Sequence, residues 1–470
     1  MENRIAKQLD PIFKARSVAF IGASSTPGKW GYRVIENAIR SGYRGNIYPI
    51  NPGGGDLFGI KVYKDVNDVP GDIDLAVFTV LAERVPAAMT SCVKKGIKGA
   101  VVISADFAET GKKGKALEAE TVRIAKGGGL RFIGPNGMGL FTAAAKLNIA
   151  LDDEPLHGHL AFISQSGTYG GNLARAAKTK GYGLRTFISL GNQADITVSE
   201  LLEYLLHDPE TRVVVLYLEG VRQGREFFEA ARRITRVKPV LVYKGGRSEE
   251  GSRATMSHTA SIAGSDHIFD AMCRQAGLIR VNEIEHLFIM AEAMLEQPPA
   301  NGNRVGIVGS GGQGVVAVDS CAGYGLRIPR LADADGMRIK SILPPHAPVP
   351  KNPVDFAGGS RSALEEARVV QELIQLPYID GVICNLPVNA FLSASFGEQT
   401  RIAVEGAELL AGLPKTYGKP IVTMKFRGLD NSVIDIIAQS GGIPIYTTPE
   451  DCARAFYGLV KYGEILKRQV

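Results

Sequence analysis

Three times along this chain an apolar run of strand type ends in a turn of small residues that opens a helix. The runs are S-V-A-F-I-G from Ser17, followed by A-S-S-T-P-G-K-W-G-Y; L-A-F-I-S from Leu160, followed by Q-S-G-T-Y-G-G; and V-G-I-V-G from Val305, followed by S-G-G-Q-G. Unbroken apolar strands of this length suit a parallel sheet covered on both faces, and glycine permits the sharp turn from strand to helix. Each such turn leaves the first N–H groups of its helix without intrahelical acceptors, which makes an anion site. The second and third copies also share an ending, G-Y-G-L at Gly181 and again at Gly323, so they read as two domains of one design. Further strands are expected at 46–51, 74–79, 99–104 and 131–134, at 212–218 and 239–244, and at 381–385 and 420–425. A chain of 470 residues has room for about three domains. The expected division is 1–148, 149–297 and 298–470, with Q-P-P-A-N-G-N from Gln297 as a linker.

Composition removes several function classes. The net charge of +6 comes from 54 basic and 48 acidic residues mixed along the chain, with no basic block, which argues against a nucleic-acid binder and allows small anionic ligands. The five cysteines, Cys92, Cys273, Cys321, Cys384 and Cys452, form no C-x-x-C pair, so neither a zinc site nor a disulfide framework is expected. Free buried thiols in a reducing cytoplasm follow. No apolar run reaches the ~18 residues of a membrane span, and the first ten residues are polar, so a soluble, cytoplasmic protein with no membrane partner is expected.

The chemistry concentrates in G-S-R-A-T-M-S-H-T-A-S-I-A-G-S-D, residues 251–266. Such a run has few large apolar side chains to bury, and its hydroxyls favour turns over helix interiors. It holds one histidine, His258, whose imidazole is a neutral nucleophile near pH 7 with room beside it for an anion, so it is a candidate phosphoryl carrier. Glu219 follows the strand at 212–218, where α/β sheets place ligands, and a carboxylate there can orient an imidazole and stabilise its cation. The first turn, G-A-S-S-T-P-G-K, lacks the G-x-G-x-x-G pattern, and the following strand ends in Asn51-Pro52 rather than in an acidic ribose ligand. With Lys29 as a cation, it suits a phosphorylated ligand better than NAD. Ser164 and Thr168 stand where a G-x-S-x-G hydrolase elbow around Ser166 needs glycines. The other histidines read blandly: His157, His159 and His346 in loops, His207 at a helix end, His267 and His286 on helices.

Taken in order, T-P-G-K-W-G-Y-R-V-I-E-N, I-Y-P-I-N-P, G-P-N-G-M-G, I-S-Q-S-G, S-L-G-N-Q-A-D, L-Y-L-E-G, S-H-T-A-S-I-A-G-S, G-G-Q-G-V-V-A-V-D and N-P-V-D-F span nearly the whole chain. With these segments the sequence resembles the α subunit of NDP-forming acyl-CoA synthetases, the ADP-forming acetyl-CoA synthetase group related to succinyl-CoA synthetase. The resemblance implies an α/β protein with a Rossmann-like CoA-binding domain followed by two flavodoxin-like, doubly wound domains. It implies a coenzyme A pocket at Gly22, Ala23, Ser24, Thr26, Pro27, Gly28, Lys29, Asn51, Pro52, Ser104 and Asn136. It makes His258 the phosphorylated residue and Glu219 its partner. Ser164, Gln165, Ser166 and Gly167 would open one phosphate-binding helix, and Gly311, Gly312, Gln313 and Gly314 a second. The implied reaction joins acyl-CoA, phosphate and ADP through an acyl phosphate and a phosphohistidine. No G-x-x-x-x-G-K-[ST] motif or ATP-grasp segment occurs, so ADP or ATP and Mg2+ would be handled by an ATP-grasp β subunit, in an α2β2 assembly, with a small carboxylic acid as substrate. The chain departs from its relatives in three places: glycines follow Asn51-Pro52 where a lysine is frequent, Gly137 replaces a common cysteine, and Asp106 replaces the glycine of S-A-G-F. A CoA-binding paralogue without turnover would keep the same fold. The pairing of His258 with Glu219 favours catalysis, because a sensor has no use for a nucleophile held by a carboxylate.

Overall fold

The computed structural model describes residues 4–253, 265–309, 311–357, 362–385, 398–425 and 433–468. Its contacts divide it into two units, Met1–Glu283 and Ile284–Val470. In the first unit the runs Ser17–Ile21 (β1), Asn46–Ile50 (β2), Leu75–Phe78 (β5), Gly99–Val102 (β6) and Arg131–Ile133 (β7) form one sheet in the order β2-β1-β5-β6-β7, every neighbour parallel. A small antiparallel pair, Gly55–Leu57 (β3) with Ile60–Val62 (β4), stands outside it. All residues of β1, β5 and β6 are buried, because helices cover both faces of a parallel sheet.

The second sheet contains Gly139–Thr142 (β8), Leu147–Asn148 (β9), His157–Ser164 (β10), Leu184–Ser189 (β11), Val213–Leu218 (β12), Val240–Lys244 (β13) and Ile279–Val281 (β14), in the order β14-β13-β12-β10-β11-β8-β9. In β12, Val213, Val214, Val215 and Leu216 are each fully buried, worth ~1.5–3 kcal/mol per large side chain. Residues 139–148 were expected with the first domain. Within them β8 pairs antiparallel with β11, Thr142 opposite Thr186 and Gly139 opposite Ser189, and β9 pairs with β8, so the second sheet extends into them. His157 and His159 lie on β10 rather than in a loop; His159 Nδ1 meets the carbonyl of Glu210 at 2.8 Å.

The second unit has one parallel sheet of Val305–Gly309 (β15), Val354–Asp355 (β16), Gly381–Asn385 (β17), Ile421–Met424 (β18) and Ile445–Tyr446 (β19), in the order β16-β15-β17-β18-β19. The residues after the second G-Y-G-L do not repeat β11, because only an isolated bridge joins Arg327 to Arg304. The stretch that follows is proline-rich, and proline has no N–H for a ladder. The helix Glu285–Glu296 and the expected linker both belong to this unit. Gln297 is buried, its amide donating to Gly442 O (2.5 Å) and accepting from Ile421 N (2.7 Å).

Candidate functional site

In a doubly wound sheet ligands bind beyond the strand ends where the strand order reverses. That point lies between β1 and β5 in the first sheet, β10 and β12 in the second, and β15 and β17 in the third. Each of the three small-residue turns follows the first strand of such a pair, and each is tied to the residue that follows the second strand or ends it.

In the first sheet, Thr79 Oγ donates to the carbonyls of Ile21 (3.1 Å) and Gly22 (3.2 Å). Gly22 has φ of 95°, and a Cβ on it would stand 2.8 Å from Val80, so only glycine fits this turn. A Cβ on Gly31 would lie 2.0 Å from the Gly22 carbonyl, so the helix Trp30–Arg40 presses directly on the turn. Asn51 supports the turn from the neighbouring strand, its Nδ2 donating to Ala23 O (2.8 Å) and its Oδ1 accepting from Gly53 N (2.8 Å). Ser24 Oγ accepts from Thr26 N (3.1 Å), while Thr26, Pro27, Gly28, Lys29 and Pro52 are exposed. Ser104 donates to Val80 O (2.5 Å) and its carbonyl accepts from Asn136 N (2.9 Å), bringing both expected pocket residues to the same end of the sheet. Lys29 precedes the helix in extended conformation with no side-chain cap, so the helix start faces outward beside an ammonium.

The departures from the family pattern have local causes or accommodations. Asp106 adopts φ of 74°, a left-handed conformation that aspartate tolerates better than most side chains, and its N–H donates to Glu109 Oε1 (2.8 Å). A Cβ on Gly137 would lie 2.6 Å from Ser189 O, so this chain brings β11 closer than a cysteine there would allow.

In the second sheet, Gln165 Oε1 accepts from the N–H groups of both Glu219 (2.8 Å) and Gly220 (3.1 Å), and Gln165 N donates to Tyr217 O (2.9 Å). Gln165 therefore spends its side chain and its N–H on holding the Glu219 turn, and free N–H groups come from the residues after it. The helix Gly167–Thr179 has no side-chain cap. Gly170 lets it sit on the strand end, since a Cβ there would be 2.4 Å from Ser164 Oγ; that hydroxyl donates to Ser166 O (2.6 Å). Glu219 is buried at 6% exposure with Oε1 at 3.5 Å from the Tyr217 hydroxyl. Burial and then this carboxylate push the Tyr217 phenol above the ordinary tyrosine range. Tyr217 stacks on Tyr243 (5.8 Å) and meets the edge of Tyr169 (5.2 Å), giving Glu219 an aromatic shelf. His258 lies outside the described residues.

In the third sheet, Gly311 has φ of 57° and its N–H donates to Asp355 Oδ1 (3.1 Å), which also accepts from Ala357 N (2.9 Å). The helix Gly312–Gly323 follows with no side-chain cap, and Gly314 N turns back to Gly311 O. Asn385, at the end of β17, donates to Gln313 Oε1 (2.9 Å). The N-P-V-D-F motif thus fixes the glycine turn through Asp355, while Asn352 ties it to β15 by accepting from Ile307 N and donating to Val305 O.

Two groups of residues had no assigned role in the sequence reading. The S-L-G-N-Q-A-D loop docks on the P-N-G turn, with Asn192 N donating to Pro135 O and Ala194 N to Gly134 O. Asn192 Nδ2 lies between two carboxylates, Glu109 Oε2 (2.7 Å) and Glu118 Oε2 (2.9 Å), and its Oδ1 is 3.4 Å from Asn136 Nδ2. Arg131 clamps the far end of the loop through Asp195 (2.9 Å) and Glu200 (2.8 Å). The second group is Lys244. Its ammonium meets the carbonyls of Gly245 (3.2 Å) and Gly246 (3.5 Å) and the ring of Phe269 (5.8 Å), bracing the turn ahead of the His258 segment; burial lowers its pKa.

Among the described residues no cluster of three His, Cys, Asp or Glu side chains stands ready for a metal ion, and no helix is long and apolar enough to cross a membrane. A family model described as a CoA binding domain matches residues 16–143, and one described as a succinyl-CoA ligase like flavodoxin domain matches residues 157–294. The chain is 38% identical to subunit alpha of acetate–CoA ligase [ADP-forming] II of Pyrococcus furiosus, over 97% of this chain and 98% of that one. It is 34% identical to 4-hydroxybutyrate–CoA ligase [ADP-forming] of Nitrosopumilus maritimus, over 97% of this chain and 64% of that relative. Acetyl-coenzyme A synthetase 1 of Ca. Korarchaeum cryptofilum, solved with phosphate and ADP, matches with a TM-score of 0.86 at 32% identity, over 98% of this chain and 99% of that one.

Proposed function

The chain belongs to the α subunits of the ADP-forming acyl-CoA ligases, and from that membership we propose how its residues divide the reaction. It is an acid–CoA ligase subunit, interconverting acyl-CoA, phosphate and ADP with free acid, CoA and ATP. Coenzyme A binds at the turn 22–29, with Asn51, Pro52, Ser104 and Asn136 around it. The outward-facing helix start and the Lys29 ammonium suit its phosphates. Phosphate binds at the uncapped helix start at Ser166–Gly167, whose N–H groups neutralise its oxygens without competing for a proton; Gly312 and Gln313 open a second uncapped helix of the same design.

A phosphate oxygen attacks the thioester carbon, the C–S bond breaks, and the thiol leaves with the proton, giving an acyl phosphate. An imidazole nitrogen of His258 then attacks phosphorus, the P–O bond to the acyl group breaks, and the free acid departs as carboxylate. Transfer to an ADP oxygen frees the imidazole and forms ATP. Glu219 orients the imidazole and stabilises its positive charge. The observation that carries this reading is the Gln165 clamp, which holds the Glu219 turn by two hydrogen bonds one residue from the helix start at Ser166–Gly167. The relatives are named as alpha subunits, and on that ground nucleotide and Mg2+ are assigned to an ATP-grasp β subunit, in a cytoplasmic α2β2 enzyme.

The test is acid-labile, base-stable labelling of the assembled enzyme by acyl-CoA and radioactive phosphate. Label is expected on the wild type and absent from His258→Asn, which should still bind CoA. Wild-type labelling of His258→Asn would overturn the mechanism.

A further inference from the structure

We propose, resting on the reading that coenzyme A binds at the turn 22–29, that the ammonium of Lys64 receives the phosphate carried on the 3′-oxygen of its ribose. Lys64 thereby distinguishes coenzyme A from dephospho-coenzyme A, which differs only in lacking that group.

Sheet order sets where the ribose goes. In a Rossmann-type unit the diphosphate lies at the helix start after the first strand, and the adenosine ribose lies at the end of the second. A cation beside that strand end accommodates a phosphate on the sugar. Here the two places are the helix start at Lys29–Trp30 and the end of β2 at Ile50, with β2 at the edge of the sheet. The chain leaving β4 returns to this edge. Asn51 N donates to Tyr63 O (2.9 Å), Tyr63 N donates to Pro49 O (2.9 Å), and the bridge between Ile50 and Tyr63 is parallel. Lys64 therefore leaves the sheet at the same end as Asn51.

The residues between them lay the lysine over the site. Residues 53–55 are all glycine, and Gly54 turns back with its N–H donating to Asn51 O (2.9 Å). A Cβ on Gly54 would stand 3.6 Å from Lys64 Cε and 3.8 Å from its Cγ, so the lysine stem lies against the bare face of this glycine. The three glycines supply no charge, and the side chain that covers them does. Asn51 joins this turn to the diphosphate turn, because its amide donates to Ala23 O and accepts from Gly53 N.

Neighbouring charged groups are committed elsewhere. The Asp65 carboxylate accepts from Asn67 N (2.8 Å) and Nδ2 (2.7 Å), and the Lys61 ammonium stands over the Tyr63 ring at 4.9 Å. Lys64 is exposed, and among the described residues no carboxylate pairs with it. A phosphate monoester carries close to two negative charges at neutral pH and suits such a cation.

The full-length protein is titrated by calorimetry with coenzyme A and with dephospho-coenzyme A at low salt. The wild type should bind coenzyme A ~10-fold more tightly, the size of one exposed charge-assisted contact. Lys64→Gln should bind coenzyme A ~10-fold more weakly than wild type and dephospho-coenzyme A within about twofold, so the preference disappears, while Lys64→Arg should keep it. Lys29→Ala should weaken both ligands alike, because the diphosphate is common to them. A wild type with equal affinity for the two ligands overturns the assignment, as does a preference that survives Lys64→Gln or equal weakening of both ligands by that variant. If neither ligand binds the wild type, the coenzyme A reading itself falls, and the role of Lys64 with it.

Discussion

Replacing Gln165 with methionine should cost both stability and phosphoryl transfer, for one reason. Its Oε1 is the acceptor for two buried N–H groups, those of Glu219 and Gly220. Methionine keeps the length and removes the acceptor. A buried donor left unsatisfied costs ~1–3 kcal/mol, and relaxation of the turn recovers part of that, so the pair should lose ~2–4 kcal/mol. At ~2 °C per kcal/mol for a unit of this size, its unfolding midpoint should fall by ~4–8 °C, measurable by calorimetry. The turn must also find new partners, and Glu219 moves with it. Phosphohistidine formation, assayed at 25 °C on protein that is still folded, should slow ~10²-fold, the usual cost of losing one preorganised electrostatic partner. A midpoint within ~1 °C of wild type together with a rate within about twofold would refute the clamp.

Lys29→Ala should weaken CoA binding by ~1–2 kcal/mol in calorimetry, with the loss shrinking at high salt because the ammonium is exposed; an unchanged Kd would remove Lys29 from the pocket. Asn192→Asp places a third carboxylate between Glu109 and Glu118, and should destabilise the first unit by ~3 kcal/mol at pH 7, more than Asn192→Ala, which loses the same hydrogen bonds without adding charge; equal losses would contradict the charge argument. Asp208 tests the opposite sign: burial raises its pKa, but hydrogen bonds from Arg185 and Thr211 outweigh burial and hold it below the ordinary value. Its contribution is fully present above the unfolded pKa of ~4 and is lost as pH falls through the folded value, so Asp208→Asn should be destabilised by ~1–3 kcal/mol at pH 6 and should approach wild type near pH 2. Parallel melting curves for the two proteins across that range would exclude this.

The central strands were legible because a fully buried parallel strand is an unbroken apolar word. Gly381–Asn385 has the expected bounds, and β1 and β2 each end one residue early. Two of the strands missed show why a short or interrupted strand is hard to read. Arg185 and Thr186 interrupt β11, yet Arg185 pairs with Asp208 and Thr186 donates to Phe141 O across the sheet. β16 is two residues long inside a proline-rich stretch, where no periodicity can develop. The position of Glu219 just after a strand was legible. The role of Gln165 was not, because its partner is 54 residues away and the register of β10 against β12 decides whether they meet. Asn192 is harder still, with carboxylate partners 83 and 74 residues distant on a different domain's helices and turns. Lys244 looks like any lysine at a strand end, and only burial sets it apart.

The pairing of β8 with β11 bears on how this protein can be recombined with its relatives. A chimera spliced after residue 148 takes its CoA-binding part from one parent and the body of the second sheet from another. Yet Gly139–Thr142 comes with the first parent and must hydrogen-bond to Thr186–Ser189 of the second. The seam therefore runs along a strand ladder rather than through a loop. At its end Gly137 meets Ser189 so closely that a parent carrying a side chain at 137 needs a more distant β11. Parents that agree at 137 and across these four rungs should give folded hybrids, and parents that differ there should give hybrids whose CoA and phosphate halves are each intact but held out of register.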